Sequence, residues 1–177
     1  MPFIYGNRYL TRSEMENNAR IVYSFFTGKG WTINAIAAML GNMQSESSIN
    51  PGIWEGLKPL QGGYGLVQWT PYTKYSEWAG AGWENNGSKQ MQRIIYELET
   101  GVQYYPTSKY PETFREFTQS KKPVQYLAYA WMYNYERPDN LDQPQRAIQA
   151  AEWLEFLGGV PVSEIPIWLL FKFKRGI

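Results

Sequence analysis

Three observations predict a mainly α fold of the α+β kind for this 177-residue chain. Apolar residues recur at helical spacing through most of the sequence, capping signals stand at the heads of several of these runs, and one stretch around residues 50–70 loses that texture. The length suits one domain of ordinary size. Residues 1–157 read as that domain, and residues 158–177 as a Gly/Pro linker followed by an apolar and basic tail.

The elements follow in order. Thr11-Arg-Ser-Glu14 has the form of a capping box, and Met15, Ala19, Val22 and Phe26 continue it on one helical face until Gly28-Lys-Gly30. Thr32 can cap a second helix carrying Ile33, Ile36, Ala37 and Leu40 at i, i+3, i+4 and i+7. Between Asn50 and Thr70, Pro51-Gly52, Pro59, Gly62-Gly63 and Gly65 punctuate the chain, which predicts turns and a small irregular or β-hairpin insert. A third helix is expected from about Ser88, with Met91, Ile94, Ile95 and Leu98 on one face. Pro111 opens a short segment around Phe114 and Phe117, and Pro123 precedes Val124 to Tyr133. The last helix starts at Pro144 and stops at Gly158-Gly159.

Composition removes much of the usual catalytic repertoire. The chain has no cysteine and no histidine, which excludes thiolate nucleophiles, Cys-ligated zinc and histidine-dependent triads. Of its 16 acidic residues 14 are Glu, the two Asp being Asp139 and Asp142, so acid/base chemistry here is glutamate chemistry. No cofactor and no metal are implied. A net charge of +1 argues against a general nucleic-acid binder. Residues Met1 to Leu10 do not read as a signal peptide, and the longest apolar stretch, Ile165 to Phe171, is far short of the roughly 20 residues of a spanning helix.

Three segments carry candidate chemistry. Gly41-Asn-Met-Gln-Ser-Glu46-Ser47 continues the second helix. At about 100° per residue, Leu40, Met43 and Ser47 fall within about 40° of Ile36, and Glu46 lies about 80° away, at the margin of the apolar stripe. A carboxyl there, against an aromatic-rich loop, is partly desolvated and keeps a proton near neutrality, as a general acid must; the alternative is a solvated glutamate near a helix end. In Gly63-Tyr-Gly-Leu-Val-Gln68-Trp69-Thr70, an amide and an indole suit a sugar; alternatively Leu66 and Trp69 pack in a core. In Tyr126 to Pro138, Tyr126, Tyr129, Tyr133 and Tyr135 approximate a helical row, which reads as an amphipathic core helix ended by the Pro138 turn, with Glu136 and Arg137 solvated.

Taken together, Gly41-Asn-Met-Gln-Ser-Glu-Ser, Asn50-Pro-Gly, Gly65-Leu-Val-Gln-Trp-Thr-Pro71 and Tyr135-Glu-Arg-Pro138, in this order, resemble the phage tail lysozyme domain of cell-wall-degrading tail-knob proteins from small short-tailed phages. The resemblance extends from about Tyr9 to Leu157. More distantly, Glu46-Ser47 and Gly65-Leu-Val-Gln68 are similar to motifs of goose-type lysozymes and lytic transglycosylases. The resemblance implies a lysozyme-like fold acting on the β-1,4 bond between N-acetylmuramic acid and N-acetylglucosamine of bacterial peptidoglycan. It implies Glu46 as the catalytic acid and Ser47, Gln68, Trp69, Tyr133, Tyr135 and Glu136 as substrate-binding positions. Related tail-knob proteins often continue into a zinc peptidase domain, for which this chain has no histidine.

Glycoside hydrolysis usually employs two carboxylates, about 5–5.5 Å apart for retention or about 6.5–9.5 Å for inversion. Glu55, Glu136, Asp139 and Asp142 are the candidates for a partner to Glu46, and a mechanism with no dedicated second carboxylate is the other possibility. A positioned water then gives hydrolysis, whereas the muramic acid's own 6-hydroxyl gives the transglycosylase outcome. A non-catalytic tail-tip or wall-binding module is the reading from a different class. The expected place of work is the virion, at a phage tail tip. The tail from Ile165 to Arg175, with Lys172, Lys174 and Arg175, suits an arm docking on other tail-knob proteins, a membrane-surface segment, or a connector to another domain.

Overall fold

The computed structural model describes residues 2–158, so the tail expected at 158–177 lies, beyond Gly158, outside the described residues. Among the described residues seven α-helices follow in order: α1 (Arg12–Thr27), α2 (Ile33–Ser47), α3 (Thr73–Ala79), α4 (Gly87–Thr100), α5 (Phe114–Gln119), α6 (Val124–Trp131) and α7 (Gln145–Gly158). A 3₁₀ turn covers Glu55–Leu57, and a π-helical turn, Met132–Glu136, continues α6. The mainly α fold is borne out. The insert holds no sheet among the described residues: its β character consists of two antiparallel bridges, Trp54 with Tyr64 and Tyr64 with Trp69. Left-handed backbone at Gly56, Leu57, Leu60, Gly62, Gly65 and Gln68 interrupts the alternation that a longer ladder requires.

The helix starts follow local chemistry. Thr11 and Glu14 form the expected reciprocal pair: Thr11 N–H donates to the Glu14 carboxylate at 2.9 Å and Glu14 N–H to Thr11 Oγ1 at 3.4 Å. Thr32 Oγ1 accepts from Ala35 N–H, Asn86 Oδ1 from Lys89 N–H, and Thr113 with Glu116 makes a second capping box at α5. Arg8 also grips Glu14 through both terminal guanidinium nitrogens, at 2.6 and 2.9 Å. The Arg8 hydrogen bonds, with those of Thr11, hold the Glu14 carboxyl down to about 2. Since the folded value lies below the unfolded one, this contribution is complete above about pH 5 and fades as the pH falls toward about 2. Thermal melts of wild type and Glu14→Gln should differ at neutral pH and converge as the pH is lowered through that window.

The described chain gathers into two compact units, the first comprising residues up to Phe25 with Met43–Gln103, the second Phe26–Asn42 with residues from Tyr104 onward. In the first, Asn18 is buried and binds the Ile4 N–H and carbonyl and the Ile49 carbonyl. Trp54, Tyr64, Trp69, Tyr75 and Trp83 form a continuous aromatic cluster with ring centroids 4.6–6.3 Å apart, which supplies a large share of this unit's apolar burial. In the second, α6 packs on α7, and Trp31, Phe114, Phe117, Trp131 and Tyr135 interlock around them. Gly41 of α2 faces α7: a Cβ there would lie 2.5 Å from the Ala150 nitrogen and 2.6 Å from the Arg146 carbonyl oxygen. Glycine is what lets these two helix backbones approach.

Helix α3 is the element that periodicity did not predict. It spans two turns, lacks a side-chain cap and buries Tyr75 alone, so its pattern is too short to stand out. No described helix is long and apolar enough to cross a membrane.

Candidate active site

In the first unit, the site candidates sit where α2 ends. Glu46 is half-buried, one residue before the C-terminus of α2. The chain then turns through Ser48 and Ile49, both left-handed at φ 50° and 55°. For the β-branched Ile49 this is a strained conformation, costing about 1–3 kcal/mol, and it persists because its surroundings fix it. Ile49 N–H donates to Met43, the Ile49 carbonyl accepts from buried Asn18, and Ser48 Oγ accepts from Leu10 N–H. Asn50 Nδ2 adds bonds to the Gly6 and Arg8 carbonyls. The end of the helix that carries Glu46 is therefore braced by a web of hydrogen bonds.

Ser47, expected beside a sugar, is fully buried. Its hydroxyl lies 2.9 Å from both the Met43 and the Leu66 carbonyl oxygens, so it ties the end of α2 to the Gly65–Gln68 turn. Buried Gln90 of α4 holds the same turn from the other side: its Oε1 accepts from Leu66 N–H at 2.8 Å and its Nε2 donates to the Pro51 carbonyl at 2.7 Å. A Cβ on Gly65 (φ 79°) would meet that Gln90 amide at 2.4 Å, which fixes glycine at this position. Trp69, also expected at a sugar, is 3% exposed; it stacks on Tyr75 and donates its indole N–H to Glu97 at 2.8 Å. It occupies the core place that was the alternative for this residue.

Gln68 differs from these neighbours. Half-buried and left-handed at φ 49°, it donates Nε2 to the Gly65 and Ile53 carbonyls at 3.0 and 3.3 Å. Both partners are acceptors, so the amide orientation is fixed and Oε1 is left as the outward-facing acceptor. A sugar hydroxyl or N-acetyl N–H is a fitting donor.

In the second unit, the π turn arranges the remaining candidates. Arg137 N–H reaches the Met132 carbonyl five residues back, at 2.8 Å. Buried Asn134 then faces the Tyr105–Tyr110 loop, its Oδ1 accepting from Thr107 N–H and Oγ1 and its Nδ2 donating to the Tyr110 carbonyl at 2.8 Å. Tyr133 is half-buried and stands against Tyr110 with centroids 5.1 Å apart. Tyr135 is 1% exposed and stacks on Trp131 at 4.2 Å, a core position. Glu136, half-buried, accepts the Trp131 indole N–H at 2.7 Å.

The other carboxylates are placed as follows. Glu55 is exposed and accepts from Gly63 N–H, across its own loop, at 2.7 Å. Asp139 and Asp142 are exposed. Among the described residues no group of three or more carboxylates is arranged to hold a metal ion. Gln90 and Glu97, which hold the Gly65–Trp69 turn, are residues that reading the sequence missed. Both carried a usable signal, since they share the buried face of α4 with Met91 and Ile94.

With this geometry in view, the comparisons are specific. The family model described as phage tail lysozyme matches residues 17–157. Over 165 residues the chain is 44% identical to Morphogenesis protein 1 of Bacillus phage B103, an alignment that covers 89% of this chain and 44% of that protein. The chain thus spans less than half the length of that relative.

Proposed function

The chain belongs to the phage tail lysozyme family, and from that premise we propose that it is a muramidase. It hydrolyses the β-1,4 bond between N-acetylmuramic acid and N-acetylglucosamine, with Glu46 as general acid, and serves local penetration of the host wall by a phage tail. The observation that carries this reading is the placement of Glu46. It is a half-buried carboxyl on a helix end held rigid by the strained Ser48–Ile49 corner and tied through Ser47 to the turn that presents Gln68. Such bracing is what a proton donor needs to meet one glycosidic oxygen repeatedly.

The proposed steps use few groups. As general acid, Glu46 gives a proton to the bridging oxygen as the bond to C1 of the muramic acid breaks. A water then adds to C1 and returns a proton to the Glu46 carboxylate, so the enzyme is regenerated. Gln68 Oε1 accepts a hydrogen bond from the sugar. Ser47 and Trp69 act by holding these groups in place, while Tyr135 and Glu136 brace Trp131 within the second unit. Both Glu55, bound to Gly63 N–H, and Glu136, bound to the Trp131 indole, already serve as braces, which favours a mechanism without a dedicated second carboxylate. The proposed setting is the tail tip of a virion, with residues after Gly158 docking on neighbouring tail proteins.

Purified bacterial wall, stripped of other polymers, tests this. The protein should release reducing ends at a rate that is unchanged by a chelator. Sedimentation with the wall and no new reducing ends would make it a binding module instead.

A further inference from the structure

Gln90 is a fully buried polar side chain of α4 that the proposed steps leave unused. Its amide is engaged at both ends, Oε1 accepting from Leu66 N–H at 2.8 Å and Nε2 donating to the Pro51 carbonyl at 2.7 Å. The Leu66 N–H belongs to the same peptide group as the Gly65 carbonyl. That carbonyl accepts from Gln68 Nε2 at 3.0 Å and from Gln68 N–H at 3.1 Å. In a trans peptide the N–H and C=O point in opposite directions, so Gln90 and Gln68 grip one rigid plane from its two sides. The second acceptor of Gln68 Nε2, the Ile53 carbonyl, stands two residues after Pro51. Both carbonyls that orient the Gln68 side chain thus lie within two residues of a point that Gln90 pins, and all of these residues belong to the first unit.

Resting on the proposed glycan-cleaving function, we propose that Gln90 is a positioning residue that sets the direction of Gln68 Oε1 through the Gly65–Leu66 peptide. Hydrogen bonds in series through one peptide polarise and strengthen one another, so the grip of Gln90 on the N–H makes the carbonyl a better acceptor for Gln68. Leu66 and Pro51 are both buried. An apolar side chain at position 90 leaves the Leu66 N–H and the Pro51 carbonyl without that partner in a place that water does not fill, which drives the peptide to turn. A turned peptide takes the Gly65 carbonyl away from Gln68 Nε2. The Gln68 amide is then free to rotate, and its acceptor no longer points at the sugar in one fixed direction.

The test compares wild type, Gln90→Met, Gln68→Ala and the double variant. Gln90→Met keeps the length of the side chain and removes both of its hydrogen bonds; if it does not fold, Gln90→Asn, an amide one methylene too short to span both partners, takes its place. By NMR, the side-chain amide protons of Gln68 should be protected from solvent exchange in wild type and lose that protection in the Gln90 variant. On purified sacculi, kcat/KM per folded molecule for release of reducing ends should fall about tenfold in each single variant. The double variant should be no worse than the weaker single one, whereas independent effects would multiply to about a hundredfold. A role in stability alone would lower the melting temperature and leave both readouts unmoved. Gln68 protons still protected in the Gln90 variant, or losses that multiply in the double variant, overturn the assignment. A wild type that releases no reducing ends overturns the glycosidase reading, and with it this role of Gln90 in the reaction, whatever the Gln68 amide shows.

Discussion

Glu46→Gln is expected to reduce clearing of peptidoglycan by at least about 100-fold, because the amide keeps the shape of the side chain but has no acidic proton to give to the leaving oxygen. The fold should survive. Glu46 is half-buried rather than part of the core, and the bonds that brace the helix end belong to Ser47, Ser48, Ile49 and Asn50. The melting temperature is therefore expected to stay within a few degrees of wild type, separating loss of chemistry from loss of structure. Glu55→Gln is the informative contrast. Its amide oxygen can still accept from Gly63 N–H, so it should keep most of the activity if that carboxyl is a loop brace, and lose it if that carboxyl is a partner in catalysis. Clearing by Glu46→Gln at the wild-type rate would move the acid elsewhere.

The second large effect is on stability and comes from Gly41→Ala. A methyl group there would sit 2.5–2.8 Å from the nitrogen and Cα of Ala150 and the carbonyl of Arg146, all backbone atoms of α7 that have no rotamer to change. Relief requires α2 and α7 to separate, opening the contact around Ala147, Ala150 and Ala151, and overpacking of this kind reaches about 3 kcal/mol. Alanine's better helix propensity returns about 1 kcal/mol, leaving a net loss of about 2 kcal/mol. For a protein of this size that corresponds to a drop of roughly 4–8 °C in melting temperature. An unchanged or raised melting temperature would mean that the two helices can part without cost.

Those two residues, five apart in one motif, show what was legible in the sequence and what was not. The helices with strong caps and a 3.6-residue apolar period, α1, α2, α4 and α7, follow from local chemistry, and their boundaries lie close to the structural ones. The reason for Gly41 depends on a helix more than a hundred residues later, and no local pattern carries that. Trp69 and Gln68 are neighbours in a turn, yet one is sunk against Tyr75 and Glu97 while the other presents an acceptor outward. The choice between core and ligand for Trp69 is made by Glu97, 28 residues on. Likewise the helix expected to run from Val124 to Tyr133 gives way at Met132 to a π turn, because Asn134 has a distant loop to hold and the extra residue aims it there. Sequence motif and helical period thus singled out Glu46 and its place on α2, while the tethers around that helix end, Ser47 to Leu66 and Gln90 to Pro51 and Leu66, became visible only in three dimensions.

Mass spectrometry of the muropeptides released from purified sacculi tests the central claim most directly. Digestion by the wild-type protein should give disaccharide-peptides that end in a hydrated, reducing N-acetylmuramic acid, and Glu46→Gln should give none above background. Products cut in the peptide or at the amide, or the same disaccharide products from both proteins, would contradict a muramidase that works through Glu46.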